Sequence, residues 1–459
     1  MNSTFGKNLK ITIWGGSHEP EIGVKIEGFP IGTEIDMNEL RRFMKRRAPG
    51  NNPYATKRKE ADEPLPVSGL VPKGKSSGPE NSTAGHDPEV SAAGHDPAMM
   101  PEDASGIRTD DGGTVTPDAA AGQPDPKTQE NAASQDTAQR DTARNDFASQ
   151  EGSQDKASGL QNIPIPEILV TDSPEISFRI INKDRRSSDY SKLRSVPRPG
   201  HADYTARLRY GDALNMAGGG PFSARMTAPL CIAGGIALQL LTKQGIMVGG
   251  HILSIADARD DAFSPTDIDP QLLVKLRRES MPVISSAARV SMERRLRDAR
   301  DRLDSLGGII EVCALDLPGG IGGAMYSGVE SVLAPILFGI PAVKGVEFGA
   351  GFHSARLAGS VNNDAFYYDE DGNVKTKTNH HGGILGGITT GMPLIARVAL
   401  KPTPSIGIEQ DSVDLDKKEN TKLTVTGRHD PCVAVRAVPI VEAAVALGLL
   451  DCIYDGGIR

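Results

Sequence analysis

The chain has 459 residues, 38% of them hydrophobic, with 51 glycines, 32 prolines and a formal net charge of −8. That length allows two or three average domains, or one large domain with an appendage, and so low an apolar fraction with so much Gly and Pro argues against a chain packed from end to end. No run approaches the roughly 18 consecutive apolar residues of a membrane-spanning helix, and the start, MNSTFGKNLKITIWGG, lacks the charged-then-apolar design of a signal peptide, so the sequence reads as cytoplasmic with no membrane partner.

In chain order, LKITIW (9–14) reads as a strand. Asp36, with Glu39 three residues on, is a capping-box-like start for a helix through MNELRRFMKRR, stopped by Pro49-Gly50. From Ser77 to Leu160 the chain turns low in complexity, with one aromatic, Phe147, in 84 residues. Such a stretch buries too little apolar surface to offset its ordering entropy and is expected to be disordered. It carries 16 acidic against 5 basic residues, a net of −11, which leaves the other 375 residues at about +3. A mildly basic folded part suits an anionic substrate. The twice-repeated AGHDP in this segment reads as low-complexity drift, so His86 and His95 are set aside.

Beyond it, EISFRII (175–181) reads as a second strand and SARMTAPLCIAGGIALQLLTKQG (223–245) as a long helix with Pro229 in an early turn. SSAARVSMERRLRDARDRLDSLGG (285–308) reads as an amphipathic helix ended by glycine, followed by the strand IIEVCAL. The fold class is α+β, one interlocked catalytic domain of residues 1–76 and 161–459 interrupted by the insertion 77–160.

The polar groups cluster at loop edges. GGSHEPEIG (15–23) puts Ser17 and His18 on a loosened loop at the end of the first strand, where they do chemistry or merely cap a turn. In RPGHAD (198–203) Pro199-Gly200 forces a turn before His201, and Asp203 stands where it caps the following helix. GGGPFSAR (218–225) leads glycines toward a helix N-terminus, a phosphate-favouring place, with Arg225 as an anion fork. KPTPSIG (401–407) presents a cation and hydroxyls, and GRHDPC (427–432) sets Arg428, His429 and Asp430 side by side. Cys231, Cys313, Cys432 and Cys452 show no metal spacing and read as free thiols. No P-loop, HExxH, GxSxG or Rossmann glycine pattern occurs. The basic run KRRAPG (45–50) lacks interleaved aromatics, which argues against nucleic acid.

Taken together and in this order, GGSHEPEIGV, KRRAPG, RSSDY, RPGHADYT, GGGPFSAR, PAVKGVEFGAGF, GGILGGITTG, KPTPSI and GRHDPCVAVRAVPIVEA resemble the chorismate synthase family. The resemblance implies a β-α-β sandwich with two related halves, assembled as a homotetramer. It implies a lyase that forms chorismate from 5-enolpyruvylshikimate 3-phosphate by 1,4-anti elimination of phosphate, requiring reduced FMN without net redox change. NADPH is the candidate reductant, acting directly or through an external flavin reductase. An FMN-dependent oxidoreductase and a catalytically impaired relative are the alternatives.

Carried over residue by residue, the resemblance places His18, His201 and Asp430 with Ser17 and Ser223 in catalysis, and Arg46, Arg47, Arg225 and Arg428 on the substrate. For FMN it implies Arg47, Pro221, Phe222, Ser223, Pro341, Ala342, Gly386, Lys401, Pro402, Thr403, Pro404, Ser405 and Arg428, and no metal. Three departures stand out: the familiar GESHG is GGSHE here, GGGRSSAR is GGGPFSAR, and Pro53 stands where many members have an arginine.

Overall fold

The structure, a computed structural model, describes residues 2–50, 60–74, 165–183, 195–425 and 430–456. The insertion expected at 77–160 and the residues Pro53 and Arg428 lie outside the described residues, all of which fall in one unit, Met1–Ser77 with Ile165–Arg459.

Alternation of apolar and polar side chains builds the first sheet. Along Glu175–Ile181 the side chains of Ile176, Phe178 and Ile180 are buried while Glu175, Ser177 and Arg179 turn the other way, the period-two signature read from the sequence. The order is Ser3–Phe5, Lys10–Gly15, Glu21–Glu27, Glu175–Ile181, Leu65–Ser68, with every pairing antiparallel. A second antiparallel sheet runs Ala258–Arg259, Met247–Ile255, Gly308–Leu315, Leu394–Leu400, Val343–Phe348. Met247–Ile255 and Gly308–Leu315 are buried almost throughout, as their continuous apolar runs require. A small third sheet pairs Ile168–Thr171 with Glu34–Asp36 on one side and Leu70–Pro72 on the other.

Two long helices fill the space between the large sheets. Thr227–Lys243 packs on the first sheet, Ala434–Asp455 on the second, and each on the other. The result is the β-α-β sandwich expected. By length and composition Ala224–Lys243 and Ala434–Asp455 could cross a membrane, but each is largely buried inside the protein, as a core helix is. Their buried polar groups are matched. Asp451 accepts the backbone N–H of Asn8 at 2.7 Å and of Leu9 at 2.8 Å, tying the first sheet to the last helix. Glu442 receives Arg46 at 2.5 and 3.0 Å and the N–H of Gly250 at 3.1 Å.

The first helix, Met37–Arg47, begins as read: the Asp36 carboxylate accepts from the N–H groups of Asn38 and Glu39. Pro229 sits in the first turn of its helix. The helix Ser286–Asp301 differs from expectation. It stops well before Gly307, because Leu303 turns into the left-handed region at φ 59° and ends it without a glycine. All four cysteines are free, as read, and buried, and burial pushes the Cys231, Cys432 and Cys452 thiols up to about 12.

One feature of the second sheet had no sequence signal. His251, wholly buried, meets Asp260 at Nδ1 and Glu311 at Nε2, both at 3.0 Å, and Arg397 closes the chain on Glu311 at 2.8 Å. Burial alone would lower the imidazole pKa, yet two hydrogen-bonded carboxylates raise it above its usual value, so the ring is held as the cation.

Two outcomes follow from this packing. A Cβ on Gly234 would lie 2.2 Å from that of Ala443, so Gly234→Ala should cost about 1–3 kcal/mol of overpacking, read as a lower melting temperature. Because the His251 pKa is raised, the stability it contributes is complete below about pH 6.5 and is lost as pH rises through the raised value. The melting deficit of His251→Gln should therefore be larger at pH 6 than at pH 9.

Candidate active site

Three segments far apart in sequence meet at the glycine run. Gly218, Gly219 and Gly220 all have positive φ, at 63°, 93° and 51°, in a tight turn closed by the N–H of Ser17 donating to the Gly220 carbonyl at 3.2 Å. A Cβ on Gly218 would lie 2.1 Å from His18 Cε1, and one on Gly219 3.2 Å from His201 Nε2. The turn is therefore glycine because two imidazoles close on it. This corrects its reading as a phosphate cradle at a helix start. The N–H groups of Gly219 and Ser223 are spent on Met216 and Gly220 carbonyls, and the long helix begins only at Thr227. The Ser223 hydroxyl accepts from the Arg225 N–H at 3.3 Å, capping the short turn Ala224–Met226.

His201 is aimed by its neighbours. Asp203 does not cap the helix Asp203–Tyr210, whose N-cap is Ala202; its carboxylate takes His201 Nδ1 at 2.7 Å and Arg198 Nε at 2.7 Å. Arg198 Nη2 also stands 3.1 Å from the same imidazole nitrogen, but a guanidinium only donates. The shorter carboxylate contact assigns the Nδ1 proton to Asp203 and leaves the Nε2 lone pair toward the glycine turn. Desolvation opposes ionisation of Asp203, but hydrogen bonds from Arg198 and His201 hold its carboxyl far below the usual range. Arg198 further donates to Ser405 Oγ at 3.1 Å, so the histidine turn is pinned to the 401–405 loop.

The arginines are spoken for from within. Arg47 and Arg225 both reach Asp62, a buried carboxylate at φ 49°. Arg47 also donates to Thr227 Oγ1 at 3.2 Å and the Ala224 carbonyl at 3.3 Å, and Arg225 to Asn182 at 3.0 Å and Glu60 at 2.9 Å. Burial pushes Asp62 up, but the charges of Arg47 and Arg225 outweigh it and keep its pKa below the ordinary value.

These groups line one cavity of about 680 Å³. Its wall includes Arg47, Glu60, Arg198, His201, Pro221, Phe222, Ser223, Arg225, Pro341, Ala342, Lys344, Lys401, Thr403, Pro404, Ser405, Asp430 and Arg436. Asp430 is held by Arg436 Nη1 at 2.8 Å. Lys401 donates to the Gly200 carbonyl at 2.9 Å; burial, and then the neighbouring Lys344, hold its ammonium below the usual lysine range. Thr403 Oγ1 is buried with no hydrogen-bond partner among the described residues.

Not every expected residue reaches the cavity. Ser17 and His18 stand behind Gly218, outside the lining. Pro402 is exposed, Gly386 sits in the turn between Ile384–Leu385 and Ile388–Thr389, and Arg46 faces away onto Glu442. Sequence reading passed over Arg198, Lys344 and Arg436 inside quoted motifs, and it gave no role to Glu60 or Asp62, which lie on an irregular segment without periodicity. Replacing Asp203 by Asn removes the group that fixes the Nδ1 proton. The expected result is a mixed His201 tautomer in histidine ¹⁵N shifts, with the far-UV circular dichroism unchanged.

A family model described as "Chorismate synthase" matches residues 9–81 and 125–454. The chain is 36% identical to the chorismate synthase of Lancefieldella parvula over 99% of its own length and 97% of the relative's. It is 33% identical to that of Methanothermobacter thermautotrophicus over 99% and 95%. A solved structure titled "Crystal Structure of Chorismate Synthase" matches 98% of the chain and 93% of its own with a TM-score of 0.61 at 19% identity, which speaks for the fold. With its sandwich and its motifs spread over both sheets, the chain belongs to the chorismate synthase family.

Proposed function

We propose that the chain carries out the chorismate-forming reaction of its family, 1,4-anti elimination of phosphate from 5-enolpyruvylshikimate 3-phosphate, in the 680 Å³ cavity with reduced FMN, as a cytoplasmic homotetramer. The observation that carries this is one cavity lined by an oriented imidazole, a fixed carboxylate and a cationic end. The wall fits a flavin mononucleotide: Pro221, Phe222, Pro341 and Ala342 offer apolar surface for a planar ring, while Lys401, Lys344 and the orphan Thr403 hydroxyl suit its phosphate. When bound, reduced flavin supplies transient electron donation to the substrate and help in removing the C6 hydrogen, with no net redox change.

The protein's own groups set charge and protons around that chemistry. His201, with Asp203 fixing Nδ1–H, offers Nε2 to take and hold a proton beside an anionic ring. The family resemblance gives His18, which stands behind the glycine turn and outside the cavity wall, the protonation of the departing phosphate, and gives Asp430, steadied by Arg436, the assistance of proton transfer. Arg47 is enclosed and acts through its charge; Arg225 receives a substrate carboxylate when that carboxylate displaces Glu60. Arg428 completes the anion contacts, and NADPH is the reductant, directly or by way of a separate reductase.

The test is an anaerobic assay with 5-enolpyruvylshikimate 3-phosphate and chemically reduced FMN, following chorismate absorbance and phosphate together. Stoichiometric appearance of both is expected, with turnover lowered about 10²- to 10⁴-fold in His18→Ala and in His201→Ala. Sustained NADPH consumption without phosphate release would instead mark an oxidoreductase.

A further inference from the structure

Beyond the Asp430–Arg436 pair lies a second cavity, of about 310 Å³, bounded by the end of the first helix, the end of the helix Pro270–Arg278 and the start of Ala434–Asp455. Six cationic side chains line it, Arg42, Lys45, Arg46, Arg277, Arg278 and Arg436, against one carboxylate, Glu279. That carboxylate is held by Arg289 at 2.8 Å, so it does little to neutralise the cavity. Arg42 and Arg278 are exposed and form no ion pair with any described residue.

Helix dipoles account for part of this placement. Lysine and arginine are favoured in the last turns of Met37–Arg47 and Pro270–Arg278, near the negative ends of those helices. The same argument runs against Arg436, which sits in the first turn of Ala434–Asp455, where a cation is disfavoured. Two helix ends and one helix start thus aim cations at a single hollow; Arg46 is already paired with Glu442 and Arg436 with Asp430, which leaves the charges of Arg42 and Arg278 for an anion to meet.

We infer that this hollow is a second anion site, distinct from the cavity lined by His201, for a small molecule carrying two or more phosphate or carboxylate groups. Arg436 lines both cavities. Its Nη1 holds Asp430 and its Nε donates to the Arg47 carbonyl at 3.1 Å. An anion in the second hollow competes for that guanidinium and loosens Asp430, which makes the site a means of tuning the first cavity.

Inorganic pyrophosphate is the probe, titrated calorimetrically into the full-length protein. The wild type should show two classes of site. The double variant Arg42→Ser/Arg278→Ser should bind at one class at least tenfold more weakly and retain the other, with chorismate turnover in the absence of pyrophosphate unchanged. Arg42→Lys/Arg278→Lys should restore most of the lost binding, which separates loss of charge from misfolding. A single class of site in the wild type that Lys401→Ala abolishes, or two classes both unmoved by the double variant, would overturn the inference. None of these binding readouts depends on the reaction assigned to the first cavity.

Discussion

A single carboxylate, Asp62, decides whether the cavity wall can exist. It faces two guanidiniums, one from the last turn of the first helix and one from the approach to the core helix Thr227–Lys243. Without it, Arg225 would keep only Glu60 and Arg47 would be a buried charge with no carboxylate partner among the described residues, and stripping one partner from a buried pair costs about 3–5 kcal/mol. With it, both side chains are fixed, the first helix is locked to the core helix, and the loop leading to Ser223 lies where His201 can approach it. Fold and site share this joint.

The neutralisation also explains why the site is legible in kind but not in detail. Arginines in a sequence rich in motifs suggest anion forks, and Arg47 and Arg225 do line the cavity. Which of them keeps a donor for a ligand depends on carboxylates elsewhere in the chain. Glu60 and Asp62 belong to no helix or strand, and the left-handed backbone at Asp62 has no marker, since aspartate adopts it without a glycine beside it. Arg46 and Arg47, adjacent in sequence, point about 100° apart around the helix; one turns to Asp62 and the other to Glu442.

The fold was more legible where periodicity is strong. Glu175–Ile181 and the first helix stand where alternation and capping put them. Elements made of polar groups paired across the sheet were invisible. His251, Glu311 and Arg397 meet because their strands are neighbours in register, with Glu311 opposite His251 on one side and Arg397 on the other. Pairing between strands 60 and 86 residues apart leaves no local trace. The end of Ser286–Asp301 misled for the opposite reason: the glycine signal was local and real, but Leu303 took the left-handed turn first.

Close approach at the glycine turn gives meaning to the departures from the family's pattern. The familiar GESHG has become GGSHE, which moves a carboxylate from position 16 to position 19. In the structure the Glu19 side chain folds back over Gly16: a Cβ at position 16 would lie 3.2 Å from Glu19 Oε1. The Glu19 carboxylate therefore lies over the loop that carries Ser17 and His18, and the glycine leaves room for it. Phe222 has no such partner: it replaces a polar residue beside the turn, lines the cavity, and stacks only loosely on Tyr210, with ring centroids 6.4 Å apart. The departures at Pro221 and Phe222 therefore change the surface of the cavity wall, while the histidine loop keeps its carboxylate.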